Sequence, residues 1–445
     1  MKDYLTVIGA GLAGSEAAWQ AAERGVKVVL YEMRPNLATP VHKTEQCAEL
    51  VCSNSLGGNQ AHSAPFLLKE ELRRLNSLVI SSADEHAVPA GSALAVDRDL
   101  FSSAITERLS RHDNITFKRE EVAEIPSEGP VVIATGPLTS KSLSASISGL
   151  IGQNYLYFYD ALSPIVDAQS IDYDKAFFAS RYGKGDADYL NCPLDKKQYQ
   201  ALVSELNQAK KVPLQSFEKP IYFEGCMPVE ELARRGEKTL AFGPMKPVGL
   251  PCPKTGKNFY AVVQLRHENK QGTAFNIVGF QTKLTYPEQK RVFRMIPGLE
   301  NAEFFRLGAI HRNTFINAPT LLTGNLDLKE KPGIYFAGQI IGVEGYVEST
   351  AMGALAGISA VKRILEEPYS PPPLDTALGS LINYVSGGRA GGAYQPMNIN
   401  YGLFPATDMK IRNKKLRNEK ISERALLSMD QWMSSSFEKQ EINSF

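Results

Sequence analysis

The chain is short of the residues that most often announce a chemistry. Among 445 residues there are five cysteines, six histidines and two tryptophans. The cysteines (Cys47, Cys52, Cys192, Cys226 and Cys252) are odd in number and show no CxxC spacing, so neither a disulfide framework nor a zinc site is indicated. No HExxH or comparable pair joins the histidines, and no metal is expected. No apolar run approaches the ~20 residues that span a bilayer. No basic leader with an apolar core stands before the first strand-like segment, so the cytosol is the expected compartment. Charge is missing in excess too, with 49 Lys and Arg against 48 Asp and Glu for a net of +1. At 43% hydrophobic and 22% charged the composition is that of an ordinary globular protein, and 445 residues exceed one compact core, so two domains are expected.

Glycine is present, and in one telling arrangement. The string LTVIGAGLAG over 5–14 runs from an apolar strand into Gly9, Gly11 and Gly14. A helix-like stretch follows over 15–24, then a second apolar run over 26–31 that ends at Glu32. Strand, glycine turn, helix, strand and acid in this register form a dinucleotide fingerprint. Gly9 permits the tight turn, Gly11 lets backbone approach a pyrophosphate, and Gly14 lets helix and strand pack closely. The amides around the helix start, among Ala10, Leu12 and Ala13, offer donors and a partial positive charge to phosphates. Glu32 is placed to accept hydrogen bonds from a ribose, which argues against a ribose that carries a phosphate.

The rest of the chain favours FAD over NAD. VVIATGP over 131–137 is an apolar strand that breaks abruptly, and GIYFAGQ over 333–339 repeats the pattern. GVEGY at 342–346 and a small-residue helix over about 347–365 follow. A late strand, turn and helix of this kind returns to the first fold and points a helix N-terminus at a flavin or its phosphates. Gly338 and Tyr346 are its candidate cofactor contacts. The expected class is therefore α/β, a Rossmann-like FAD-binding domain discontinuous in sequence (1–167 and 305–445) with an inserted mixed α+β domain over 168–304. In the insertion, alternating runs at 259–265 and 275–280 predict strands of a mainly antiparallel sheet, and 195–208 predicts a helix. The segment PYSPPP over 368–373 is expected to act as a stiff linker that isolates a C-terminal helical tail. In that tail seven basic residues fall between Lys410 and Arg424, including Lys414, Lys415 and Arg417, against Glu419 and Glu423. So basic a helix suits phosphate contacts as well as a solvated surface.

Two cysteines stand in loop-like settings, Cys52 in AELVCSNSLGG (48–58) and Cys226 in YFEGCMPVE (222–230). Such loops are where a thiolate can be stabilised and reached. Beside a flavin, two thiols allow disulfide reduction, redox sensing, or addition of a thiolate to an electrophilic ring. Cys47, with four residues between it and Cys52, keeps the first of these open, although it is expected to lie in a helix and to be structural.

Several strings are long and unusual in composition: AELVCSNSL (48–56), HAVPAGSALAVDR (86–98), ATGPLTS (134–140), FEGCMPVEELAR (223–234), FGPMKPVGL (242–250), GVEGYVES (342–349) and YQPMNINYGLFP (394–405). Through them and the glycine loop, nearly the whole chain resembles the folate- and FAD-dependent tRNA (uracil-5-)-methyltransferases. Tyr401 stands where that family commonly has tryptophan. The resemblance implies formation of 5-methyluridine in the T loop of tRNA, with methylenetetrahydrofolate as one-carbon donor and FAD reduced by NADH or NADPH. It implies a thiolate that adds to uracil C6 and an acid/base at C5. Cys226 is carried over to the first role and Cys52 to the second, with the order of the two open. Arg389, Lys414, Lys415 and Arg417 become expected RNA contacts, Arg312 a contact to RNA or cofactor, and Tyr346 a stacking partner of flavin or folate. The alternatives are a ribosomal RNA uridine as substrate, or a plain NAD(P)H-dependent flavin oxidase or disulfide reductase.

Overall fold

The computed structural model describes the chain except for residues 1–2, 40, 153–155, 184–185, 214–221, 223–226, 254, 388–393, 407–410 and 438–445, and the side chains of 158, 311 and 312. Five short apolar strands, Tyr4–Ile8, Lys27–Tyr31, Ile115–Lys118, Val131–Ile133 and Ile334–Phe336, pair only in parallel. Their spatial order is 334–336, 131–133, 4–8, 27–31, 115–118, so the late strand extends the edge of a sheet built from the first third of the chain. Parallel sheets are covered by helices. Here the helix Leu12–Ala22 that leaves the first strand packs against the long helix Tyr346–Ile364. Small residues bring the two together. A Cβ at Gly353 would lie 2.1 Å from the Ala13 carbonyl oxygen, and one at Gly357 2.6 Å from that of Ala17.

The second sheet has six strands in the order 177–178, 189–194, 261–267, 274–277, 165–167, 304–306, all antiparallel to their neighbours. It buries Val263, Leu265, Phe275 and Ile277 with Tyr199, Leu202 and Leu206 of the helix Lys196–Gln208 and with Val292 and Phe293 of the helix Tyr286–Phe293. Asp195 starts the first of these helices in a reciprocal capping box with Gln198. Leu156–Ala161 and Ile310–Phe315 pair antiparallel and carry the chain into and out of this sheet. A third, small sheet (Ser55–Gly58, Ala93–Val96, Ala87–Val88) holds the segment that follows Cys52.

Two expectations are corrected. Cys47 is structural but not helical: it sits in a turn where Ala48 takes φ +52°, fully buried beneath the glycine loop, with the Ala48 amide donating to the Ala10 carbonyl. The C-terminal helix Lys414–Phe437 is not isolated. Ile421, Ala425, Met429 and Trp432 recur every three or four residues as an apolar stripe and join the core of the parallel-sheet domain. The proline segment serves as their acceptor, with Trp432 Nε1 donating to the Ser370 carbonyl at 2.8 Å. Asp430 pairs with Arg74 at 2.7 Å.

The helix contact yields a prediction. Gly353→Ala forces a methyl group into backbone that cannot retreat without moving the glycine loop. Thermal unfolding should show a loss of at least about 1–3 kcal/mol, together with a fall in bound flavin measured by absorbance.

Candidate active site

A cavity of about 450 Å³ opens where the first strand meets its helix, within the range of cofactor sites. Gly9, Gly11, Leu12, Ala13, Glu32, Gly338 and Tyr346 line it; Ala10 and Gly14 do not. The three glycines divide their work as the fingerprint requires. Gly9 has φ +98°, and a Cβ there would lie 2.7 Å from the Ala134 carbonyl oxygen. A Cβ at Gly14 would lie 1.7 Å from the Gly9 carbonyl oxygen. At Gly11 nothing lies within 4 Å, which leaves bare backbone facing the cavity at the start of the helix. No side chain caps that helix, so its first amides are free for an anionic ligand. Gly338, at φ +81°, brings the late turn onto the same helix, 2.7 Å from Ala13 Cβ for an added methyl. These residues fit the diphosphate half of FAD.

Glu32 is buried at 5% exposure, and its carboxylate is held from three sides. Its Oε2 accepts from the Ala10 amide (3.0 Å), and its Oε1 from the amide and Nε of Arg34 (3.1 and 2.9 Å). Burial pushes the carboxyl up, but the Arg34 guanidinium outweighs it and holds Glu32 below the usual carboxylate range. An ionised acid at this depth suits a ribose edge. Arg34 gave no motif signal; only its place two residues beyond the acid marks it.

Cys52 lines the same cavity. Its backbone amide donates to the Tyr346 hydroxyl at 2.8 Å, as does that of Ser53 at 3.3 Å, so the first residue of the long helix clamps the thiol loop. Across the loop, Arg266 Nε donates to Asn54 Oδ1 (3.0 Å) and its Nη2 to Ser53 Oγ (2.8 Å). Arg98 donates to the Leu50 carbonyl and pairs with Glu268 at 2.7 Å. The loop is thus fastened from the six-stranded sheet through Arg266 and from two helices through Arg98 and Tyr346. Cys52 Sγ donates to Asp160 Oδ2 at 3.4 Å. Burial first, then the Asp160 and Glu344 carboxylates, hold the thiol well above its usual pKa. Burial and Asp160 likewise push Glu344 well up, and burial brings Glu348 to about 7. Asp160 was not anticipated, yet an acid inside the apolar run LYFYDA is the signal that could have found it.

Of the remaining expected residues, Cys226 and Arg389 lie outside the described residues, as does the side chain of Arg312. Lys414, Lys415 and Arg417 are exposed on the first turn of the C-terminal helix, away from the cavity lining. Cys47 is fully buried and its thiol is pushed up to about 11, chiefly by burial. Among the described residues no group of His, Cys, Asp or Glu is arranged to hold a metal, and no helix is long and apolar enough to cross a membrane. The clamp makes a prediction: Tyr346→Phe leaves two loop amides without their acceptor, at a cost of about 1–3 kcal/mol. Urea unfolding should show that loss, and Cys52 should label faster with a thiol reagent.

The chain was compared with known proteins. Residues 4–368 match the family model described as glucose inhibited division protein A. A methylenetetrahydrofolate–tRNA-(uracil-5-)-methyltransferase TrmFO of Heliobacterium modesticaldum is 56% identical over 98% of this chain and 100% of its own length. The proteins of that name from Citrifermentans bemidjiense and Aquifex aeolicus are 58% and 56% identical over 97% of this chain and 99% and 97% of theirs. Aquifex aeolicus GidA, solved in two crystal forms, superposes with TM-scores of 0.67 and 0.68 at 18% identity. The superpositions cover 97% and 96% of this chain and 76% of GidA, which shows a shared fold. With relatives more than half identical from end to end, the chain belongs to the methylenetetrahydrofolate–tRNA-(uracil-5-)-methyltransferases within the glucose inhibited division protein A family.

Proposed function

We propose that this protein forms 5-methyluridine in the T loop of tRNA, in the cytosol, with methylenetetrahydrofolate as one-carbon donor and FAD reduced by NADH or NADPH. One observation carries the reading: a dinucleotide loop and a loop thiol share a single cavity, in a chain whose full-length relatives bear that activity in their names. FAD, when bound, supplies the reducing electrons and relays the one-carbon unit. Tyr346, which lines the cavity, is a stacking surface for the flavin or the folate. Residues 1–167 and 305–445 serve the cofactor, and 168–304 faces the RNA.

Uracil C5 is a poor nucleophile until a thiolate adds at C6 and pushes electron density onto it. Cys52 is badly suited to stand as that thiolate, because burial and two carboxylates oppose its ionisation. Its thiol suits proton transfer at C5, which supports Cys226 as the nucleophile. Four residues before Cys226, Tyr222 bridges to Tyr159, the neighbour of Asp160 in the strand. That contact supports a shared site for the two thiols. The disulfide-reductase alternative loses its support with Cys47, a fully buried thiol. The target base must be unstacked before a thiol reaches it, at a cost of a few kcal/mol that phosphate contacts offset. Arg389 and the exposed Lys414, Lys415 and Arg417 are proposed to make such contacts.

Wild-type protein should form a covalent complex with tRNA containing 5-fluorouridine, visible as a shifted band under denaturing conditions. Cys226→Ala should form none, whereas Cys52→Ala should still form it. Trapping by Cys226→Ala in equal yield would overturn the assignment. Reversal of charge at Lys414, Lys415 and Arg417 together should weaken tRNA binding at least about tenfold at physiological salt, with the flavin spectrum intact. Unchanged affinity would remove this helix from the interface.

A further inference from the structure

We infer that Asp160 is the residue through which Cys52 works: the thiol passes its proton to the Asp160 carboxylate, and the freed sulfur takes the proton from uracil C5. The inference rests on the methyltransferase reading above.

Three observations carry it. Asp160 is 2% exposed yet lines the cavity beside Cys52. Its orientation is fixed, because Oδ1 accepts from the Ala161 amide at 2.8 Å while Oδ2 receives the thiol at 3.4 Å. The thiol's surroundings are also the reverse of those that build a nucleophile, where a cation or a helix N-terminus stands beside the sulfur. Cys52 instead faces Asp160 from the strand Leu156–Ala161, Tyr346 from the start of the long helix and Glu344 from the turn before it. The opposing cation, Arg98, is already committed to Glu268. Glu344 is no substitute acceptor. Its Oε2 accepts from Gln339 Nε2 at 2.7 Å, and the thiol's hydrogen bond goes to Asp160.

The step balances without a further reactant. In the C6 adduct the C5–H bond breaks and its electron pair returns to the ring. An S–H bond forms on Cys52 as the proton formerly on sulfur forms an O–H bond on Asp160. The net transfer is one proton from carbon to carboxylate, later lost to solvent. Asp160 touches Cys52 rather than the uracil in this scheme, so it is a positioning residue that also holds the proton.

The test uses full-length protein with FAD, methylenetetrahydrofolate, NADPH and tRNA transcript tritiated at uridine C5. Asp160→Asn should release tritium at least about 100-fold more slowly than wild type. Its residual rate should climb with pH, because solvent must now generate the Cys52 thiolate against Glu344 and burial. It should still trap 5-fluorouridine tRNA in wild-type yield, since the nucleophile is untouched. Asp160→Glu should recover much of the rate and the wild-type pH profile, and it carries the test if the asparagine variant loses its flavin. A wild-type rate and profile in Asp160→Asn would overturn the inference. So would parallel loss of trapping and release, or an Asp160→Glu profile that climbs with pH. If wild-type protein itself releases no tritium, the methyltransferase reading fails instead.

Discussion

The close approach of two helices sets the frame on which the site depends. Gly353 and Gly357 let the long helix Tyr346–Ile364 lie directly on the backbone of Leu12–Ala22, nearer than any side chain permits. That contact fixes where the long helix begins, and its first residue, Tyr346, receives the amides of Cys52 and Ser53. It also seats the late turn at Gly338 against Ala13. One packing decision therefore registers the phosphate loop, the late turn and the thiol loop to one another, although they come from opposite ends of the chain. Interiors are close-packed, so a shift of one part is felt by the others.

Electrostatics then set the surroundings of Glu32 apart from those of Cys52. Near the glycine loop, Glu32 is paired with Arg34 and held as an anion, the form that accepts from ribose hydroxyls. Near the thiol, Glu344 and Glu348 are driven the other way by burial, and Cys52 with them. Groups with pKa values pushed apart in one site point to divided acid and base duties. In the proposed function the residues around Glu32 hold the cofactor and those around Cys52 move protons.

How much of this could be read from the chain depends on how local each feature is. The glycine loop and Glu32 lie within one strand–helix–strand unit, where spacing alone carries the geometry, and both line the cavity as the fingerprint implies. The strands 261–267 and 274–277 of an antiparallel sheet were legible for the same reason, in alternating runs; their pairing with each other was not read. The Cys52–Asp160 contact was not. Its partners are 108 residues apart and meet only once the strand Leu156–Ala161 is folded against the thiol loop. Tyr346 was expected to stack; that its hydroxyl also holds two amides was invisible without the loop it holds. The tail's stripe of Ile421, Ala425, Met429 and Trp432 was masked by the basic residues ahead of it, so its docking went unread. Cys47 read as helical because nothing in AELVC signals that Ala48 adopts a left-handed turn.

The most direct test of the account gives purified protein with FAD an unmodified tRNA transcript, NADPH and methylenetetrahydrofolate labelled on its one-carbon unit, then reads the nucleosides by mass spectrometry. The account predicts labelled 5-methyluridine confined to T-loop fragments, with none formed when folate is omitted. Steady NADPH consumption without labelled nucleoside, from protein that retains its flavin and binds the transcript, would contradict it.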